Sequence, residues 1–212
     1  MQYLKDEIRE SIIEAATEEF FRKGYEKSSM RAIAATAGMT VGNMYRYFRN
    51  KDELFTSVTG QVYEQIVYFI QHHEDNLPED FEENLEGFIS QQTAILSGFA
   101  DKFRREMLIL LEGSRGSPYE NARGQILGYL ASHMEEHIEE IYPPEQLTQI
   151  MPMGRILSVS IIEGIAEILR TSKGSAIARM VAEYLNVFMY GTIWMYRERP
   201  VQQQKAAPPE GK

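Results

Sequence analysis

"TAGMTVGNMYRYFRNKDEL", residues 36–54, is the stretch that decides the fold. Gly38 sits where a sharp turn needs a residue that tolerates positive φ. Thr40, two residues on, is a good helix N-cap. Asn50 followed by Glu53 has the spacing of a capping box. Upstream, Ser28 and Ser29 offer an N-cap for "MRAIAATA". The pattern predicts a short helix ending at Gly38 and a second, "VGNMYRYF", over 41–48. A third begins after Asn50 with an apolar stripe at Leu54, Val58, Val62, Ile66 and Ile70. Two short helices that cross closely need a small residue at the crossing, and Ala34 supplies it. Ile33, Ala37, Met39 and Met44 plug the core, leaving Val41, Gly42, Asn43 and Tyr47 outward or near the second helix's N-terminal end. These are the requirements of a helix–turn–helix. A glycine-turn hairpin inside an all-α core would satisfy the same spacing.

Charge separates the two readings. The 212 residues carry a formal net charge of −9, yet residues 27–51 hold five basic side chains (Lys27, Arg31, Arg46, Arg49, Lys51) and no acidic one. Residues 1–60 balance at nine Lys+Arg and nine Asp+Glu, so the whole excess of acid lies beyond residue 60. A surface helix in an acidic protein mixes signs. A window cleared of carboxylates is suited to meet a polyanion.

The rest of the chain reads as helix. Ile8, Ile12, Ala16 and Phe20 recur every four residues over 6–23, with Gly24 placed as a C-cap after Arg22 and Lys23. Beyond the acidic, proline-containing hinge "EDNLPED" (74–80), helical stretches are expected near 81–97, 101–113, 119–141, 147–171 and 175–198. Gly98, "GSRGSP", "YPPEQ" and "SKGS" separate them. The fold class is all-α, with a helix–turn–helix domain over 1–50, a connecting helix over 51–74 and a larger helical domain over 75–199. The proline-rich tail 200–212 is expected to lack regular structure. The most apolar run, "YLNVFMYGTIWMY", is too short to span a bilayer, which takes about 20 residues. The charged N-terminus has no apolar core of a secretory signal, so a cytoplasmic location is expected. Without cysteine, disulfides and thiolate metal sites are excluded.

Residues 8–58 resemble the DNA-binding domain of the tetracycline-repressor (TetR) family. The resemblance rests on "IIEAATEEFFRKGYEKSSMRAIAATAGMTVGNMYRYFRNKDEL", with its Ala-Ala helix, Gly-Tyr turn, Ser-Ser-Met-Arg helix start, "IAATAG" and "YRYFRNKDEL". It covers about a quarter of the chain and implies a three-helix, homeodomain-like domain. It implies that Ser29, Met30 and Arg31 lie at the DNA backbone and groove edge. Thr40, Val41, Gly42 and Asn43 would form the base-reading half of the recognition helix. Tyr45, Tyr47 and Lys51 would approach phosphates or sugars. For Tyr45, core packing is the competing reading. Among Thr40, Val41, Gly42 and Asn43, only Asn43 can make a bidentate base contact. For the C-terminal part, the resemblance implies only a ligand-binding and dimerisation domain.

Three other features carry expectations. The stripe over 81–111 is rich in Phe, and an apolar cavity there would draw on Phe88, Gln92, Phe99, Phe103, Met107 and Tyr129, although a filled core fits any one of them equally. The helices over 156–169 and 180–196 are apolar nearly all round, which calls for a second subunit. "HMEEH" (133–137) has H-x-x-E-H spacing but stands in a mixed-charge amphipathic helix, so it reads as a solvated face. No catalytic residue, metal or cofactor is expected. The chain is expected to be a dimeric, ligand-responsive regulator, a repressor of an inverted-repeat operator released by an apolar small molecule. A metallohydrolase built on "HMEEH", or a DNA-binding protein without a ligand, are the alternatives.

Overall fold

A computed structural model describes residues 2–72 and 84–206. Among them the chain forms ten helices and no strand: α1 (Gln2–Lys27), α2 (Met30–Thr36), α3 (Val41–Met44), α4 (Lys51–His72), α5 (Leu85–Lys102), α6 (Arg104–Glu112), α7 (Ala122–Ile141), α8 (Pro144–Ile150), α9 (Pro152–Thr171) and α10 (Ala176–Ala206). The expected hinge 74–80 lies outside the described residues.

Several boundaries differ from the sequence expectation. The recognition helix is four residues long instead of eight, and 45–47 form a turn that brings the chain round to α4. Gly98 lies inside α5; the break falls at Phe103, whose φ of −110° and ψ of 28° leave the helical region. The expected helix over 147–171 is two, because Pro144 and Pro152 each open a helix near its first position, where a missing N–H costs nothing. The tail expected to lack regular structure continues α10 through Ala206.

The chain divides into two compact units. The first is Met1–His73 together with Lys102–Ile126, so part of the segment expected to belong to the C-terminal domain packs with the N-terminal helices. Its core gathers Ile12, Phe20, Ile33, Phe48, Phe55 and Ile109. Phe55 meets Phe20 edge-on at 4.9 Å and Tyr25 at 5.1 Å. Gly24 carries φ 69° and kinks α1; an added Cβ there would stand 3.3 Å from the Gly113 carbonyl oxygen. That close approach lets the Tyr25 N–H donate to the Gly113 carbonyl at 2.8 Å. Arg105 of α6 clasps Glu14 of α1 through both guanidinium nitrogens, at 2.8 and 3.0 Å.

The second unit is Glu74–Asp101 with Leu127–Lys212. Ile89, Ile138, Leu169, Ile177 and Val181 are buried in it. The Thr93 hydroxyl of α5 donates to Asn186 Oδ1 of α10 at 3.0 Å. Gly164 lets α10 approach α9, for a Cβ there would fall 2.4 Å from the Tyr184 ring, and the Tyr184 hydroxyl donates to the Ser160 carbonyl at 2.5 Å.

Candidate nucleic-acid interface

The helix–turn–helix is built by caps and one glycine. Ser29 caps α2, its hydroxyl accepting from the Ala32 N–H at 3.2 Å; Thr40 caps α3, accepting from the Asn43 N–H at 3.2 Å. Between them Gly38 turns at φ 70°, and the Met39 N–H closes the corner on the Ala34 carbonyl at 2.9 Å. Ala34, Met44 and Phe48 are fully buried, which fixes the angle between the two helices. Asn50 then caps α4, its Oδ1 accepting from the Glu53 N–H at 2.8 Å. The Glu53 carboxylate reaches back to the Arg49 N–H, one residue before the cap.

This packing sorts the expected contact residues. Arg31, Thr40, Gly42, Asn43 and Tyr45 are exposed, Tyr45 to 49 %. Core packing is thereby ruled out for Tyr45 within this fold. Val41 and Tyr47 are half-buried and pack against the core with one side. Met30, the first residue of α2 after the Ser29 cap, is buried in the core, so its side chain is not on the surface expected to meet DNA. The Ser29 hydroxyl serves as the α2 cap.

Lys51 is engaged inside the domain. Its Nζ donates to the Tyr25 carbonyl at 2.8 Å and the Ser28 carbonyl at 3.2 Å, and lies 4.0 Å over the Tyr25 ring. Burial lowers its pKa, against the pull of Asp52 and Glu26. The Tyr25 hydroxyl donates to Asp52 Oδ1, and burial followed by that carboxylate pushes the phenol up to about 12. Lys51 is thus first a clamp between the end of α1 and the start of α4, with one N–H left for a phosphate.

The carboxylates that border the acid-free window in sequence are hydrogen-bonded or ion-paired. The flanking carboxylates are occupied: Asp52 by Tyr25, Glu53 by the Arg49 N–H, and Glu26 by Arg115 at 3.7 Å. Arg46 and Arg49, both exposed, stand in the turn between α3 and α4. Sequence reading counted both in the acid-free window but did not single them out as contact residues.

The proposed cavity residues are not gathered in one unit. Phe88, Gln92, Phe99 and Tyr129 belong to the second compact unit, Phe103 and Met107 to the first. Phe88 and Met107 are buried, whereas Tyr129 is 39 % exposed.

The stretch that forms this interface is also the one that known proteins share. The family model "Bacterial regulatory proteins, tetR family" matches residues 12–58. Residues 12–58 of the chain thus match the DNA-binding region of the TetR family. Among curated proteins, the Fatty acid metabolism regulator protein of Bacillus subtilis is 34 % identical over 89 residues, 41 % of this chain and 44 % of that one. The HTH-type transcriptional repressor KstR of Mycolicibacterium smegmatis is 40 % identical over 60 residues, 28 % of this chain and 29 % of that one. The chain therefore matches less than half the length of either relative. The fold recurs in solved structures. NalD, described as the secondary repressor of the MexAB-OprM multidrug efflux pump in Pseudomonas aeruginosa, superposes with a TM-score of 0.51 at 20 % identity, covering 87 % of this chain and 96 % of that one. PfmR of Thermus thermophilus superposes with 0.57 at 15 % identity, covering 84 % and 97 %. At these identities the likeness is one of fold.

Proposed function

We propose that the protein is a dimeric transcriptional repressor that reads an inverted-repeat operator and leaves it when a mainly apolar small molecule binds. The observation that carries this reading is the acid-free window of residues 27–51, in which Arg31, Asn43, Tyr45, Arg46 and Arg49 are all exposed around the helix–turn–helix. Asn43 reads a base edge; Thr40, Gly42 and the exposed edge of Val41 allow the helix end to approach the groove. Tyr45, Tyr47, Arg31 and the remaining N–H of Lys51 position the protein on phosphates. With so few base-reading side chains, part of the specificity comes from the shape of the DNA.

Residues 1–50 read DNA, the helix over 51–74 connects, and 75–199 capture the ligand and the second subunit. A ligand favours the conformer in which the connecting helix holds the two recognition helices out of register with successive grooves. The Phe-rich segment supports an apolar ligand, as does a relative named for fatty acid metabolism. Dimerisation through α9 and α10 is supported by their exposed Ile156, Val159, Met180 and Val187. No helix among the described residues is long and apolar enough to cross a membrane, and a DNA-binding role places the protein in the cytoplasm. The relatives are named as regulators, which disfavours a metallohydrolase.

Selection of bound sequences from random DNA, followed by footprinting, tests the reading. A protected inverted repeat with half-site centres about 34–36 Å apart is expected. Protection without inverted symmetry, or crosslinks to the second compact unit alone, would overturn it.

A further inference from the structure

The segment "HMEEH" that reads as a solvated face has a more specific geometry in the structure. His133 and His137 lie one turn apart on α7, both half-buried. Their Nε2 atoms are 3.1 Å apart, and the rings meet edge-on with centroids 4.4 Å apart. Two imidazole nitrogens that share a first-row cation each sit about 2.0–2.1 Å from it, so at this separation they subtend roughly 95–100° at the metal. That is the angle between neighbouring positions of a tetragonal or octahedral ion, and narrower than a tetrahedral one. The electrostatics agree with the geometry. α7 carries four glutamates, all beside the pair, and one arginine, Arg123, near its start. The pair therefore stands on a helix whose own charges attract a cation.

We propose that His133 and His137 form a bidentate site for a divalent transition ion of tetragonal or octahedral preference, copper(II) or nickel(II) ahead of zinc. Without the ion, one Nε2–H donates to the other Nε2. On binding, the donor ring carries its proton on Nδ1 instead, and both Nε2 lone pairs turn to the metal, with no net proton released. Among the described residues no cluster of three or more His, Cys, Asp or Glu is formed, so water completes the coordination sphere and positions stay open. Bridging positions i and i+4, the ion staples this turn of α7. The site is independent of the DNA-binding reading.

The test is a titration of untagged full-length protein with copper(II) chloride, followed by calorimetry and electron paramagnetic resonance. One equivalent is expected, with a spectrum showing two imidazole nitrogens, and nickel(II) should compete better than zinc. His133→Gln and His137→Gln should each weaken binding about 100-fold through loss of the chelate. His72→Gln, at a histidine of the first compact unit stacked on Tyr68, should leave it unchanged. Circular dichroism of each variant confirms that the helices persist. Absence of stoichiometric binding, equal binding in all three variants, or a wild-type spectrum without two nitrogens would leave only an imidazole–imidazole hydrogen bond and overturn the proposal.

Discussion

Lys51 and Arg46 are both basic residues of the acid-free window, but they do different work. Lys51 spends two N–H donors on the Tyr25 and Ser28 carbonyls, whereas Arg46 is exposed in the turn after α3. Arg46→Ala is expected to lower the slope of log affinity against log salt by about one and to leave the unfolding midpoint alone. Lys51→Ala should lower the slope by a similar amount and also cost about 1–2 kcal/mol of stability, because two carbonyls lose their donor. Parallel salt titrations and urea unfolding separate these effects; an unchanged slope in Lys51→Ala would leave it with the clamp alone. Asn43→Ala, by contrast, should change the selected base sequence without either effect. The same clamp has an alkaline signature. Folding raises the Tyr25 phenol from about 10 to about 12, chiefly by burial and then by Asp52. Its contribution is therefore fully present below pH 10 and is lost as pH rises toward 12. Lys51, lowered by burial, works in the opposite direction, and does so in both proteins compared. Tyr25→Phe should be less stable than wild type at pH 8, and the gap should narrow between pH 10 and 12 in urea unfolding.

At the scale of elements, capping chemistry was legible in the sequence and helix length was not. Ser29, Gly38, Thr40 and Asn50 occupy the positions that local rules assign them, since each acts on backbone groups two or three residues away. The end of α3 depends on Met44 and Phe48 both entering the core, a tertiary demand that overrides the helical preference of 45–47. For the same reason Met30, which resemblance placed at the DNA, is buried. Gly24 was legible as a helix end but not as a contact, because its partner Gly113 lies 89 residues along the chain. That contact yields a prediction. At φ 69° and with a Cβ 3.3 Å from the Gly113 oxygen, Gly24→Ala should lose about 1–3 kcal/mol of unfolding free energy. Gly38→Ala, at a similar φ of 70° but with open space around it, should lose only the strain component, and a larger loss at Gly38 than at Gly24 would contradict the close-approach argument.

At the scale of the molecule, the two-faced apolarity of the last helices becomes a division of labour. One face of α9 and α10 is used within the chain: Gly164 admits the Tyr184 ring, and the Tyr184 hydroxyl bonds Ser160. Gly164→Arg would therefore strike Tyr184 of its own subunit and report on folding, not association. Beside that contact Ile156 is left 54 % exposed and Val187 76 % exposed, and Val159, Met180 and Tyr190 are exposed as well. Positions 180, 187 and 190 follow helical steps of three and seven, as a single stripe must. In a two-fold dimer the stripe meets its own copy, so one substitution is introduced twice at the contact. Val187→Glu places a carboxylate where the isolated subunit is already wet, at little expense to its fold. In the dimer the same group would be buried twice without a partner, a cost of several kcal/mol. The expected result in sedimentation equilibrium is a species of 24.4 kDa in place of one twice that mass, with an unchanged helical spectrum. Such monomers should bind a single half-site weakly and lose preference for an inverted repeat, because the symmetry of the operator is only the symmetry of the protein that reads it. A Val187→Glu protein that sediments as a dimer would remove this stripe from the interface.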